Sequence, residues 1–212
     1  MPLLGVDLRS APKHPSAVAV LGDDSQITHL GNFHTDDELI EIIDKHHPSL
    51  VAIGTPLALP DGLCCLETTC GCQFTSPQRK GRVSEIELAR MGISCFFTNK
   101  GSIIRQLIYR GIRLSSQLRE AGYKVIEVYP HASKVILFGD KVPPKNSRRS
   151  LDFMRGRLPT LIEGLEPHLD TLDRNTCDAL MNSYTALLHA QDSTDILGSS
   201  DEGLLSLPRL IR

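Results

Sequence analysis

The amino-acid sequence predicts an α/β fold: a mixed sheet, antiparallel at its first three strands and parallel after them, flanked by helices. Three observations predict it. Three short strand-like runs follow one another before any helical pattern appears. Helix and strand patterns then alternate, as parallel crossovers require. The later strand runs are short, apolar and closed by Gly or Pro, as buried strands are.

Leu3-Leu4-Gly5-Val6-Asp7-Leu8 is the first run and Ser16 to Leu21 the second. Gly22-Asp23-Asp24-Ser25 is a turn, and Gln26 to Leu30 completes a hairpin. Thr35 with Glu38 forms a capping box, and Leu39, Ile40, Ile42 and Ile43 give a helix its buried stripe up to Pro48. Leu50 to Ile53 is a buried strand ended by Gly54 and Pro56. Arg82 to Met91 reads as a short helix. Apolar residues from Ile103 to Leu118 recur at helical spacing up to Gly122. Lys124 to Tyr129 is a strand ended by Pro130, and a Pro- and Lys-rich loop near Val142-Pro143-Pro144-Lys145 leads into basic helical sequence. A last helix runs from near Asp173 to about Ala190, and Leu204 to Leu207 forms a terminal strand. This order describes a ribonuclease-H-like scaffold better than a doubly wound sheet. It predicts a single domain over residues 1–212, with a Cys-rich loop insertion at about 61–80 and a helical insertion at about 140–172.

Composition bounds the function. A hydrophobic content of 41% and a charged content of 23% exclude disorder, collagen and coiled coil. No apolar run reaches the ~18 to 20 residues of a membrane span. The first residues lack a basic region and meet Asp7 at once, so no secretory signal is expected and the cytoplasm is the expected compartment. No G-x-G-x-x-G or P-loop follows a strand, which leaves dinucleotide and NTP sites unsupported. The net charge of −2 conceals segregation: residues 100–157 carry +9 between a −5 segment at 1–60 and a −8 segment at 158–202. Fifteen of the 23 cations are Arg, the side chain that grips phosphate with two donors, so a polyanionic partner is open. Solvated helix faces are the plainer explanation.

Three carboxylates stand out. Asp7 ends an apolar strand, where a charge is costly unless paired or metal-bound; alternatively it caps a backbone turn. Glu127 sits in Val125-Ile126-Glu127-Val128-Tyr129, or is an edge-strand acid paired with Arg. Asp178 heads a polar stripe with Asn182, Thr185 and His189 on the last helix, or is an acid favoured at a helix N-terminus. Together they can converge on one or two Mg2+ or Mn2+ ions, hard cations that prefer oxygen. Such ions activate water and stabilise the leaving oxygen of a phosphodiester.

Gly5-Val6-Asp7-Leu8, Val51 to Pro60, Arg82-Val83-Ser84-Glu85, Glu127-Val128-Tyr129-Pro130-His131, Asp178-Ala179-Leu180 and Asp201-Glu202-Gly203 before Pro208 span almost the whole chain. In these motifs the chain resembles the "domain of unknown function 429" proteins of bacteria and archaea, described as predicted ribonuclease-H-like nucleases. The resemblance implies a ribonuclease-H-like fold and metal-dependent nuclease chemistry. The family usually carries Asp in an Ile-Asp-x-Pro-Leu run where this chain has Gly54. The Val-Ala-Ile-Gly-Thr-Pro-Leu run also looks like the Gly-x-Pro-Leu segment of Holliday-junction-resolvase-like proteins, in which an acid on the next strand serves. Glu127 would fill that role; otherwise activity is weakened or lost.

Cys64, Cys65, Cys70 and Cys72 place four thiols in nine residues. Bound zinc or an Fe–S centre, with Cys95 or His131 as a further ligand, a disulfide or redox pair, and an unliganded variable loop are the three readings. Arg82, Lys145, Arg148 and Arg149 are the candidate phosphate contacts, although Arg82 and Glu85 also have the spacing of a helical ion pair. Aromatics are only 5%, against a stacking platform for single strands. The leading expectation is a Mg2+- or Mn2+-dependent nuclease with Asp7, Glu127 and Asp178 as catalytic metal ligands and nucleic acid as partner. The alternative is a catalytically weak or silent nucleic-acid-binding or assembly protein on the same scaffold. An actin-like kinase domain would need a Gly-rich phosphate loop after the first strand, which Asp7-Leu8-Arg9-Ser10 does not supply.

Overall fold

The computed structural model describes residues 1–139, 142–144 and 147–209. Strands β1 (Leu3–Asp7), β2 (Ser16–Leu21) and β3 (Ile27–Phe33) form an antiparallel meander. Helix α1 (Asp36–His46) returns the chain to β4 (Leu50–Ile53), parallel to β1. Residues 54–82 hold no regular element before α2 (Val83–Arg90) and α3 (Arg105–Glu120). Strand β5 (Val125–Val128) lies parallel to β4 and is followed by α4 (Pro130–Phe138) and α5 (Arg148–Arg157). Two 3-10 turns (Leu158–Thr160 and Glu166–Thr171) precede α6 (Arg174–Ala190) and a closing hairpin of β6 (Thr194–Ser199) and β7 (Gly203–Pro208). The sheet order is β3-β2-β1-β4-β5-β7-β6, with β7 parallel to β5. This is the mixed sheet that the sequence predicts, an antiparallel meander followed by parallel strands, with the β6–β7 hairpin adding an antiparallel edge.

The helix ends follow local chemistry. Thr35 Oγ1 accepts from the Glu38 amide at 3.2 Å, while the Glu38 carboxylate reaches past it to the His34 amide at 2.7 Å. Asp173 caps α6 by accepting from the Thr176 amide at 2.8 Å, so Asp178 lies beyond the first turn and is not the cap. Two elements were not expected. Helix α4 begins where the sequence reads as a strand end, because Pro130 takes the first helical position, and it stops at Gly139 with φ +66°. Strand β6 carries Asp195 and Gly198 on a partly exposed edge, which breaks the apolar alternation of a strand.

Period-2 alternation builds two cores. Val18 and Val20 of β2 face α1 and α3 with Leu4, Val6, Val51 and Ile53. Ala17, Ala19 and Leu21 face the opposite way, onto Ala179, Leu180 and Met181 of α6 and onto α5. Small residues on that second face let α6 come close: a Cβ on Gly5 would lie 2.1 Å from the Ser183 amide nitrogen and 2.4 Å from the Ala179 oxygen. The expected polar stripe of α6 is therefore buried, with Asn182 and Thr185 fully inaccessible. Among the described residues no helix is long and apolar enough to cross a membrane.

Gly5→Ala puts a methyl group into the backbone of α6. It is expected to cost at least the ~1–3 kcal/mol of an overpacked core, read as a lower urea midpoint at unchanged slope.

Candidate functional site

A cavity of about 620 Å³ opens where the parallel strands β1, β4 and β5 end. The C-terminal ends of parallel strands are the usual place for a ligand crevice. Asp7, Gly54, Arg82, Glu127, His131 and Asp178 all line it, from five separate parts of the chain. Asp7, Glu127 and Asp178 are 8%, 4% and 5% exposed. The structure thus brings the three carboxylates singled out in the sequence to one cleft, in a setting where each needs a cationic or hydrogen-bonding partner.

The chain supplies a cation to Glu127 and another to Asp178. Arg82, 2% exposed, donates from Nη1 to Glu127 Oε2 at 2.7 Å, from Nη2 to Glu127 Oε1, and from Nε to Glu85 Oε1 at 3.1 Å. The Leu57 amide donates to Glu127 Oε2 at 2.8 Å. Glu85 is held in turn by the Arg82 and Thr98 amides and the Thr98 hydroxyl. Burial alone would lower the pKa of the Arg82 guanidinium, but the two carboxylates outweigh it and fix the positive charge. Arg82 is thus buried between two acids, and both oxygens of Glu127 are engaged by Arg82 and the Leu57 amide. Glu127 is Arg-paired, but β5 lies inside the sheet between β4 and β7 and is no edge.

Asp178 Oδ1 accepts from Lys134 Nζ of α4, and Lys134 is itself 9% exposed. Lys134 was not a sequence candidate, although a lone cation in the apolar run from Ala132 to Phe138 is a readable signal. Beneath Asp178, one helical turn on, Asn182 Nδ2 donates to the Val6 carbonyl at 2.8 Å. The same nitrogen lies 2.5 Å from where a Cβ on Gly54 would stand. The carboxamide thus fills the space that a side chain at residue 54 would use.

The remaining candidates are placed as follows. Lys145 and the side chain of Arg148 lie outside the described residues. Arg149 is exposed on α5 and does not line the cleft. Much of the basic middle segment is structural: Arg110 joins Asp36, the Arg9 carbonyl and Ser16, and Arg155 caps the Asp170 and Leu172 carbonyls. Arg9 lines the cleft and meets Asn175. Cys95 also lines it, but burial and then Glu85 push its thiol up to about 11, which removes it as a thiolate nucleophile. Cys64, Cys65, Cys70 and Cys72 are free thiols whose Sγ atoms all lie within 4.8 Å of one another. Among the described residues they are the one group of three or more His, Cys, Asp or Glu gathered so tightly, so the cleft carboxylates are not a preassembled three-ligand set.

A second clamp fixes the rim. Glu202, 1% exposed, accepts from the Asp61 amide at 2.7 Å, the Val83 amide at 2.8 Å and Arg79 at 2.6 Å. Burial would raise its carboxyl, but these donors hold it below the ordinary glutamate value of 4.5. A lowered folded-state value contributes stability that is complete above the unfolded value and lost as pH falls through the folded one. Glu202→Gln is therefore expected to lower the urea midpoint most above pH 4.5 and least in acid. Arg82→Ala leaves Glu127 and Glu85 without their shared cation and is expected to cost about 3–5 kcal/mol. Arg82→Lys restores only part of that, because one ammonium cannot grip Glu127 with two donors and reach Glu85 as well; equilibrium unfolding of the two variants checks both.

No protein-family model matches the chain. No curated protein matches it either. Among solved structures, the chain is similar to that of RuvC from Thermus thermophilus. The match has 12% sequence identity and a TM-score of 0.49, and covers 91% of this chain and 97% of that one.

Proposed function

We propose that the cleft is the active site of a Mg2+- or Mn2+-dependent phosphodiesterase acting on nucleic acid, with Asp7 and Asp178 as its metal-holding carboxylates. The observation that supports this reading is the seating of α6 on β1. Gly5 lets the helix backbone approach, Asn182 bonds to Val6, and Asp178 stands one turn above Asn182 while Asp7 follows Val6. Two buried acids, remote in sequence, thereby open into one cleft.

The donor set fits a hard cation only in part. Carboxylate oxygens from Asp7 and Asp178 suit Mg2+ or Mn2+. Glu127 instead acts as a positioning residue that holds Arg82 and the Leu57 amide, and so the wall of the cleft. Lys134 neutralises Asp178 and must swing away for a divalent ion to use that oxygen. A bound ion would polarise a phosphoryl oxygen and lower the pKa of a water. Arg9, which lines the cleft, would hold the phosphate backbone without reading sequence.

Three observations favour a second reading, a silent nucleic-acid-binding protein: Lys134 already pairs Asp178, Arg82 saturates Glu127, and Gly54 supplies no acid beside them. The two readings part in one experiment. Single- and double-stranded DNA and RNA are incubated with the full chain in Mn2+ and in EDTA. Metal-dependent cleavage is expected, and Asp7→Asn is expected to reduce it by more than the ~10–100-fold that loss of an outer hydrogen-bond partner of a ligand costs. Lys134→Ala is expected to lower the Mn2+ concentration at half-maximal rate, since the ion no longer competes with an ammonium. Nucleic-acid binding that is equal in Mn2+ and EDTA, with no cleavage in either, selects the silent reading. Cleavage unaffected by Asp7→Asn overturns the site.

A further inference from the structure

The loop between Asp61 and Thr75 has the makings of a metal centre apart from the cleft. It contains no helix or strand, and long loops of that kind are functional or need a staple of their own. Its neck is closed by the Thr75 amide donating to the Asp61 carbonyl at 3.2 Å, with Gly62 at φ +86° making the turn. Leu63 and Leu66 anchor it on Ile108 of α3. The Leu66 amide donates to Tyr109 Oη at 2.6 Å, and its carbonyl accepts from the Gly101 amide at 2.9 Å. These contacts hold the base of the loop, and near its tip Glu67 Oε1 meets Arg105 Nε at 3.6 Å and accepts from Tyr109 Oη at 3.4 Å.

At that tip Cys64, Cys65, Cys70 and Cys72 turn their sulfurs toward one point. The Cys64 and Cys70 sulfurs are 3.6 Å apart, and every pair in the set lies within 4.8 Å. A tetrahedral zinc tetrathiolate with Zn–S bonds of ~2.3 Å has S···S edges of ~3.8 Å. The spacing therefore suits one ion at the centre of four sulfurs. Iron–sulfur clusters divide their thiolates among separate iron atoms and spread them wider. Disulfides would need bonds of about 2 Å, and all four residues are free thiols. Lys100 Nζ donates to the Cys70 carbonyl, which places a cation beside a centre that would carry excess negative charge.

We infer that these four cysteines form a structural zinc site that staples the 61–75 loop against α3. Binding releases the thiol protons and forms four Zn–S bonds with no change of oxidation state. Ile104 and Leu107 of the α3 region line the cleft, so the staple also stiffens one of its walls.

The test uses the full chain purified without chelators. Elemental analysis is expected to find one zinc per chain, and replacement by Co2+ is expected to give the intense visible bands and sulfur-to-cobalt charge transfer of a tetrahedral thiolate site. The Cys70→Ser/Cys72→Ser variant is expected to lose the zinc, while Cys95→Ser keeps it. For any fraction isolated without metal, titration with Zn2+ against a chromophoric chelator is expected to show uptake of one equivalent and a rise in Tm. Failure to take up one equivalent overturns the inference, as does an iron–sulfur absorption spectrum or a native chain whose four cysteines are paired as disulfides. Because these readouts involve neither nucleic acid nor Asp7, they stand or fall independently of the cleft chemistry.

Discussion

The buried guanidinium of Arg82 is the constraint on which the cleft depends. It joins the start of α2 to strand β5 through Glu127, whose carboxylate also holds the Leu57 amide after β4. Removing a charge of either sign from water costs several kcal/mol, recovered only if every donor and acceptor is matched. Here the match is close: one planar fork with two donors on Glu127, a third on Glu85, and Thr98 and Leu57 completing the carboxylates. Lysine offers no such fork, and hydrophobic residues would abandon two acids, so the identity of residue 82 is fixed by geometry. The neighbouring Glu202 repeats the logic, binding Arg79 with the backbone amides of Asp61 and Val83. Between them the two clamps hold both ends of the irregular chain from 54 to 82, at Leu57 and Asp61 and at Arg79 and Arg82.

A second constraint sets the opposite wall. Ala17, Ala19, Gly5 and Ala52 form a shallow face on the sheet, and α6 settles onto it with its polar residues inward. Buried Asn, Ser and Thr on a helix are tolerated when each finds a partner: Asn182 finds Val6, Thr185 finds Met181 and Ser133, and Ser183 finds Leu180. This close seating is what carries Asp178 to the strand end where Asp7 lies. The position of the second acid thus follows from an absent Cβ at residue 5.

The fold was legible because its signals are periodic and local. The meander, the crossover helix α1 and the capped α6 each show hydrophobic spacing together with a turn or cap residue. Helix α4 and strand β6 were not, since Tyr-Pro-His reads equally as a strand end and a helix start, and an edge strand need not alternate. Asp7, Glu127 and Asp178 were legible as acids in apolar surroundings, a pattern that marks costly burial. Their partners were not, because Arg82 and Lys134 are paired across tens of residues and spacing records no such distance. The same blindness affected the charge argument. The basic segment 100–157 leaves a polyanionic partner open, yet Arg110, Lys134 and Arg155 in it turn inward to acids and carbonyls, as does Arg82 before it.

Gly54 gives this inward turn a physical sense. An acid at residue 54 would project into the space now held by the Asn182 carboxamide, beside Asp7 at the end of the adjacent parallel strand. Asn182 keeps its bond to Val6 only while residue 54 lacks a side chain, so the two residues are coupled and neither can change alone. A neutral carboxamide in place of a carboxylate removes one negative charge from the cleft. With Lys134 on Asp178 and Arg82 on Glu127, the charges named in the cleft already come near balance without any added ion. Less negative charge draws a divalent cation less strongly, and displacing Lys134 adds to the cost. A divalent ion at Asp178 Oδ1 would therefore compete with the Lys134 ammonium, which already holds that oxygen.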